Sequence, residues 1–584
     1  MNDAPPPPSW PSLRAAAAAR ARASVACVAL LAAGAGLLAG CGSSNPGGTS
    51  ADPASAVPAD AVLYAGAAVR PEGSLKAGAL AAGRALTHQS DPYLRLLAAL
   101  QTPGSRTLDF AREVAPWLGP HAGVFLTSLR SAGSLGSLLE QGLLGGSGAG
   151  AFPFANGGAQ GAIVLDTSNT AKARAFLAAQ AARAGAHATS YRGVPFQTTS
   201  AGVSFGLIHR FAVIGSESGL RGVIETTSAG ASALARSDEY SKLASAAPPD
   251  ALAHLYSAAP GQAPAASQEG LTGLLGALTG GHAANVSLVP SASSLTLDAD
   301  SLSAAASTHP GGLLAPDPQA AQALDELPGE SWLAIGLGHV GATLGEDAQE
   351  IQALASLGSS GPPAPTAGLS FGSLLDGLLA PLRALGAKTA LARRDFASWM
   401  GSAGIFASGA NLLELKAGVS ISSTNPALSR AAVAELAEQL HREGATVSPV
   451  SIPGTEAALS VAVSGLPVKL DIADGRAANG QTKFVLGVAE ASVSAALDPS
   501  TTMSNAASRS AAATSLGEGI QPSLIVNFST FLSLLEGIDL LEQPPISQFV
   551  PYLRSSTTLA GGGHRLGGEA ERFRLVLGLQ GAGG

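Results

Sequence analysis

The same short signals occur twice, in the same order, along the 584 residues. A chain that repeats its element signals is limited to architectures in which one unit can be built twice. The first signal is a strand that follows a proline, Val57-Pro58-Ala59-Asp60-Ala61-Val62-Leu63-Tyr64 against Leu327-Pro328-Gly329-Glu330-Ser331-Trp332-Leu333-Ala334. The second is an aromatic corner, Val114-Ala115-Pro116-Trp117-Leu118-Gly119 and then Gly123-Val124-Phe125. Its counterpart is Phe396-Ala397-Ser398-Trp399-Met400-Gly401 and then Gly404-Ile405-Phe406. The third is a strand running into a capped helix, Ala162 to Asp166 with Asn169, and Gly418 to Ile421 with Asn425.

The second of these helices is the better specified. Asn425 is a cap, Pro426 suits the first helical position and Gly444 suits the end. Leu428, Ala432, Leu436 and Leu440 form one apolar stripe, and Glu438 and Arg442 stand four apart on the exposed side. After the helix each half changes to alternating periodicity. Val203, Phe205 and Leu207 precede Phe211 and Val213; Val468, Leu470 and Ile472 precede Phe484, Leu486 and Val488. Asp474-Gly475 and Asn479-Gly480 read as the turns of the second hairpin. Short helices follow at Gly219 to Thr226 and Ala491 to Leu497, then strands at Ala251 to Tyr256 and Leu524 to Phe528. Ser294 to Leu297 and Phe573 to Leu577 close the two units. The pattern predicts an α+β fold of two related tandem modules, residues 57–310 and 311–584, each an antiparallel sheet with helices packed on one side.

Ahead of the first module, Arg14, Arg20 and Arg22 precede the small, apolar run Ala23 to Gly40 and then Cys41, the layout of an export signal. Leu38-Ala39-Gly40-Cys41 resembles the lipobox of bacterial lipoproteins. Residues 1–40 are thereby expected to be a lipoprotein signal peptide cleaved between Gly40 and Cys41, with Cys41 lipidated. The polar, glycine-rich residues after it make 41–56 a flexible tether. The chain has 2 cysteines, and the other, Cys27, falls within the expected leader. Disulfides, thiolate catalysis and cysteine-ligated zinc are therefore excluded from the mature chain.

The chemistry-bearing patterns are few. Charged residues are 13% of the chain and the net charge is -8, which argues against a nucleic-acid partner. Gly202-Val203-Ser204-Phe205-Gly206 and Gly368-Leu369-Ser370-Phe371-Gly372 match the nucleophile-elbow pattern. However, Ser204 lies in an alternating strand and Ser370 in a proline-rich stretch, and neither is a strand-to-helix turn. The histidines have no metal-ligand spacing, and His121 and His209 read as turn or surface residues. No phosphate-cradling glycine motif occurs. Trp117 and Trp399, at equivalent places in the repeat, read as core. Asp60, Asp91, Asp109 and Asp166 read as caps or turn residues. Three insertions, Gly133 to Gly158, Gly261 to Gly281 and Gly341 to Gly386, carry leucine pairs among glycines that weaken any helix. These can be apolar flaps over a lipid or other apolar ligand.

Pro58-Ala59-Asp60, Asp91-Pro92-Tyr93, Pro116-Trp117-Leu118-Gly119 and Phe211-Ala212-Val213-Ile214-Gly215, in that order, make the chain after the tether resemble domain-of-unknown-function family 3352. The resemblance implies an exported bacterial protein, in many members lipid-anchored, without an established activity, and it offers no catalytic residues. The expectation is a non-enzymatic binding or scaffolding component of the cell envelope. It would sit on the extracytoplasmic face of the cell membrane, hold no cofactor or metal, and have an envelope protein or an apolar ligand as partner.

Overall fold

A computed structural model describes residues 51–87, 109–128, 154–258, 283–302, 317–341, 398–442, 445–462, 469–543, 546–567 and 570–580. In the first half the strands are β1 (Leu63–Ala68), β2 (Leu118–Leu126), β3 (Gly161–Thr167), β4 (His187–Tyr191), β5 (Val194–Thr198), β6 (Val203–Ile208), β7 (Phe211–Ser216), β8 (Ala253–Ser257), β9 (Ala284–Pro290) and β10 (Ser294–Leu302). The second half supplies β11 (Leu333–Leu337), β12 (Met400–Ser408), β13 (Lys416–Ser423), β14 (Thr446–Pro449), β15 (Thr455–Ala462), β16 (Lys469–Arg476), β17 (Thr482–Val488), β18 (Gln521–Asn527), β19 (Ser556–Gly567) and β20 (Ala570–Leu579). The helices are α1 (Gly73–Thr87), α2 (Thr170–Ala184), α3 (Glu217–Ser228), α4 (Asp238–Ala246), α5 (Pro318–Asp325), α6 (Pro426–Arg442), α7 (Ala489–Leu497), α8 (Ala507–Leu516), α9 (Phe528–Gly537) and α10 (Val550–Ser555).

Two separate tandem modules, each with its own sheet, are not what forms. Among the described residues, all 20 strands belong to one antiparallel sheet. Its first half runs β4-β5-β6-β7-β3-β2-β1-β8-β9-β10. The second half runs outward as β20-β19-β18-β11-β12-β13-β17-β16-β15-β14. What repeats is connectivity within a single sheet, and β10 pairs with β20 to make it continuous. Strand edges left open would expose a row of unpaired N–H and C=O groups, and this pairing satisfies two of them at once.

Helices also cover both faces, where one covered face was expected. On β3, Ile163 and Leu165 pack with Ala173, Phe176 and Leu177 of α2, while Ala162 and Val164 pack with Leu220, Val223 and Ile224 of α3. In the second half, Val419 and Ile421 of β13 meet Ala432, Val433 and Leu436 of α6. Ala473 and Val485 meet Val493, Ala496 and Leu497 of α7 on the other face. Strands buried on both sides read as continuous apolar runs, as β3 and β7 do.

Local signals hold in several places. Asn169 Oδ1 accepts a hydrogen bond from the Lys172 N–H at 3.0 Å, and Gly185 ends α2 with a positive φ of 59°. Asn425 Oδ1 accepts from the Leu428 N–H at 3.4 Å. Leu428 itself is exposed, because α6 buries Ser429, Ala432, Val433 and Leu436 instead. Gly444 lies outside the described residues. The Arg442 side chain donates to the Glu438 backbone carbonyl at 3.3 Å. The expected turn at Asp474-Gly475 is the interior of β16, and only Asn479-Gly480 turns the chain. Gly475 is needed there for space: a Cβ would stand 2.7 Å from the Gly454 carbonyl oxygen. The tether also ends sooner than residue 56. Asp52 caps a short helical turn, Pro53–Ser55, that is packed on the sheet with Ala54 and Ala56 fully buried.

Candidate functional site

Two polar clusters are buried in the sheet. The first is the β10–β20 seam. Strand alternation puts Asp298 and Asp300 on one face of β10 and Arg572 and Arg574 on the same face of β20, with Asp298 opposite Arg574 and Asp300 opposite Arg572. Arg572 grips Asp300 with Nε to Oδ1 at 2.6 Å and Nη2 to Oδ2 at 2.9 Å. Arg574 grips Asp298 in the same way at 2.7 and 2.8 Å. Each guanidinium also donates to the last carbonyl of a helix, Arg572 to Ala246 of α4 at 2.6 Å and Arg574 to Leu516 of α8 at 3.0 Å. A cation at a helix C-terminus is favourable, so the two arginines tie α4 and α8 to the seam. Burial pushes the Asp300 carboxyl above its ordinary range, against the opposing pull of Arg572. With each aspartate matched by an arginine, the arrangement holds two sheet halves together; His564 of β19, opposite Arg572, stands beside it with its Nδ1 buried and without a hydrogen-bond partner.

The second cluster belongs to the first half alone. Cross-strand partners Tyr64 and Tyr256 meet Tyr240 of α4 edge-on, with centroids 5.8 and 5.2 Å away. His254 lies 5.5 Å from the Tyr64 ring, and its Nε2 is 3.3 Å from the Tyr240 hydroxyl. The adjacent glycines Gly66 and Gly123, opposite each other on β1 and β2, make the room. A Cβ on Gly66 would stand 2.6 Å from His254, and one on Gly123 would stand 2.7 Å from the Tyr64 ring. Burial, with Asp52 nearby, raises the Tyr64 and Tyr240 hydroxyls well out of the range in which they ionise. Burial lowers His254, partly offset by Asp52 and reinforced by His121. The Tyr64 hydroxyl is buried without a hydrogen-bond partner. At the matching place in the second half, Ala334 faces Ile525, and α5 presses on Gly336, where a Cβ would stand 1.8 Å from the Ala320 carbonyl oxygen. The cluster can donate hydrogen bonds from neutral phenols; it holds no activated nucleophile. Sequence reading missed it, although a signal was present: three of the chain's 6 tyrosines fall near β1 and β8 in one copy of the repeat and have no counterpart in the other.

His254 gives the stability of this half a pH dependence. Its folded pKa lies below the ordinary 6.5, so below that pH the unfolded chain takes up a proton that the fold resists, and stability falls as pH drops through about 6.5 and below. His564, lowered by burial and by Arg572 and Arg574, adds in the same direction. The raised carboxyls of Asp300, Asp474 and Glu571 act in the opposite sense, gaining stability on acidification. A His254→Gln variant isolates the imidazole. Its melting temperature should fall less than that of the wild type between pH 7.5 and 5.5, and parallel slopes would remove His254 from the account.

The remaining residues singled out in the sequence are dispersed. Gly40, Cys41, Asp91 and Ser370 lie outside the described residues, as do most of the leucine-rich insertions. Ser204 is fully buried in β6, with the Thr198 hydroxyl at 3.0 Å as its partner. His209 sits in the β6–β7 turn at φ 51°, with Nε2 3.0 Å from the Ser228 hydroxyl, and His121 is in β2. Trp117 and Trp399 are both buried. Asp109 caps a helical turn through the Arg112 N–H. Asp166 does not cap: it is fully buried and paired with Arg210, whose Nη2 is 2.7 Å away. Strand β3 and its neighbour β7 bring the two together, a contact that local spacing does not show. Among the described residues, no group of three or more His, Cys, Asp or Glu side chains is placed to hold a metal, and no helix is long and apolar enough to cross a membrane.

A family model described as "Protein of unknown function (DUF3352)" matches residues 23–456 of the chain. No curated protein and no solved structure matches it.

Proposed function

We propose, for a chain that belongs to the DUF3352 family of proteins of unknown function, a role as a non-enzymatic binding or scaffolding component of the cell envelope, lipid-anchored through Cys41 on the extracytoplasmic face. The observation that carries the reading is the unbroken sheet that the 20 strands of the described residues form. At about 4.8 Å per strand spacing it extends roughly 90 Å along its curved width. The charges of the seam are spent on holding that span together, which suits a rigid platform better than a reaction centre. The family match supplies no activity, and the anchor reading rests on Leu38-Ala39-Gly40-Cys41.

The anchor is tested by fractionation and mass spectrometry of the full chain. Wild type should carry acyl groups on Cys41 and stay with membranes, whereas Cys41→Ala should be unacylated and released. A Cys41→Ala protein that still carries acyl groups and sediments with membranes overturns the anchor. In-cell crosslinking of the anchored protein tests the scaffold, which requires a reproducible protein neighbour. Native mass spectrometry showing a stoichiometric copurifying lipid in place of that neighbour would replace the scaffold with a carrier.

A further inference from the structure

Of the four large apolar side chains most exposed among the described residues, Leu412 and Leu413 share the loop between β12 and β13, and Phe549 immediately precedes α10. Leu413 is 100% exposed and Leu412 44%. The loop that carries the two leucines is built to present them. Asn411 Oδ1 accepts hydrogen bonds from the Leu413 and Glu414 N–H groups, each at 3.1 Å. The Gly409 carbonyl takes the Trp332 indole N–H at 3.1 Å. Trp332 in turn stacks on Phe531 of α9 with centroids 5.1 Å apart. The end of α9 reaches the loop, where a Cβ on Gly537 would stand 3.9 Å from the Ala410 carbonyl oxygen. Arg554 of α10 meets Glu536 of α9 at 3.7 Å.

The charge around this apolar tip is net negative. Glu330, Glu414, Glu536, Asp539 and Glu542 are all exposed. The two cations among them, Lys416 and Arg554, are already paired with Glu330 and Glu536. We infer that the Leu412–Leu413 tip and its acidic rim form a docking surface for a cationic, amphipathic segment of a partner protein. The leucines are buried in its apolar face and the rim meets its basic residues. The same rim opposes a second copy of this chain and an anionic lipid surface, both of which would bring like charge to like charge. The inference rests on the reading of the chain as a binding component. The two fail separately, because peptide binding does not depend on lipidation of Cys41.

The test uses the purified full-length chain and two labelled synthetic amphipathic helices, one of leucine and lysine and one of leucine and glutamate, followed by fluorescence anisotropy. The lysine peptide should bind at least about tenfold more tightly than the glutamate peptide and weaken with added salt. Leu412→Ser with Leu413→Ser should cost about tenfold or more, whereas Leu428→Ser, at an exposed leucine on α6, should leave binding unchanged. The proposal is overturned if the loop variant binds as wild type does, or if Leu428→Ser costs as much. It is equally overturned if the loop variant abolishes self-association seen by sedimentation, or attachment to phosphatidylglycerol vesicles.

Discussion

Replacing Arg572 with alanine should lower the unfolding free energy by about 3–5 kcal/mol, read as a fall in the denaturant midpoint. The cost comes from what is left behind. Asp300 is fully buried and would lose both of its guanidinium bonds, and the Ala246 carbonyl at the end of α4 would lose its donor. Asp298 would lose a second cation at 3.3 Å. A buried carboxylate stripped of its partner costs more than the pair ever contributed, since the pair spends most of its attraction on desolvation. The double variant Asp300→Leu with Arg572→Leu should therefore be less damaging than Arg572→Ala alone, despite removing more polar atoms. If the double variant is the weaker of the two, or if Arg572→Ala costs under about 1 kcal/mol, the seam is not what joins the halves. The contact is a demanding one to form, because 272 residues of chain separate Asp300 from Arg572.

Trp399→Ala should cost a similar amount, about 3–5 kcal/mol, for a different reason. The indole is 1% exposed and lies 5.3 Å from the Phe484 ring. Its backbone carbonyl accepts both the N–H and the hydroxyl of Thr424, at 2.8 and 3.0 Å, which fixes the chain just before α6. Truncation opens a cavity beneath α6 that the surrounding strands cannot close, as they are hydrogen-bonded on both sides. Trp399→Phe keeps part of the volume and should retain more stability than alanine. Trp117, packed 5.2 Å from Phe176 with its indole N–H on the Glu113 carbonyl at 2.9 Å, should behave in parallel. A Trp399→Ala chain that unfolds at the wild-type denaturant concentration would show that this corner is not core.

Much of the local structure was legible. The strand-before-cap signals at Asn169 and Asn425, the turn at Asn479-Gly480, the strand setting of Ser204 and the buried tryptophan corners all follow from periodicity and capping, which act over a few residues. The misreadings have a common origin. Asp474-Gly475 looks like a turn, yet Asp474 accepts the hydroxyl of Ser429, in the first turn of α6, at 2.5 Å, and Gly475 makes room for a neighbouring carbonyl. Asp166 looks like a cap, yet Arg210 claims it. The Tyr64, Tyr240, Tyr256 and His254 cluster joins β1, α4 and β8. In each case the deciding partner is far along the chain, where spacing carries no information.

By itself the sequence determined a number of the elements, their duplicated order, and the absence of cysteine chemistry from the folded body, because these depend on side-chain periodicity, caps and counts. Only the tertiary structure decided that the two copies share one sheet covered on both faces. Backbone hydrogen bonds between strands are available to almost any pair, and that β10 lies against β20, with two aspartates facing two arginines across the join, is visible only once the chain is folded.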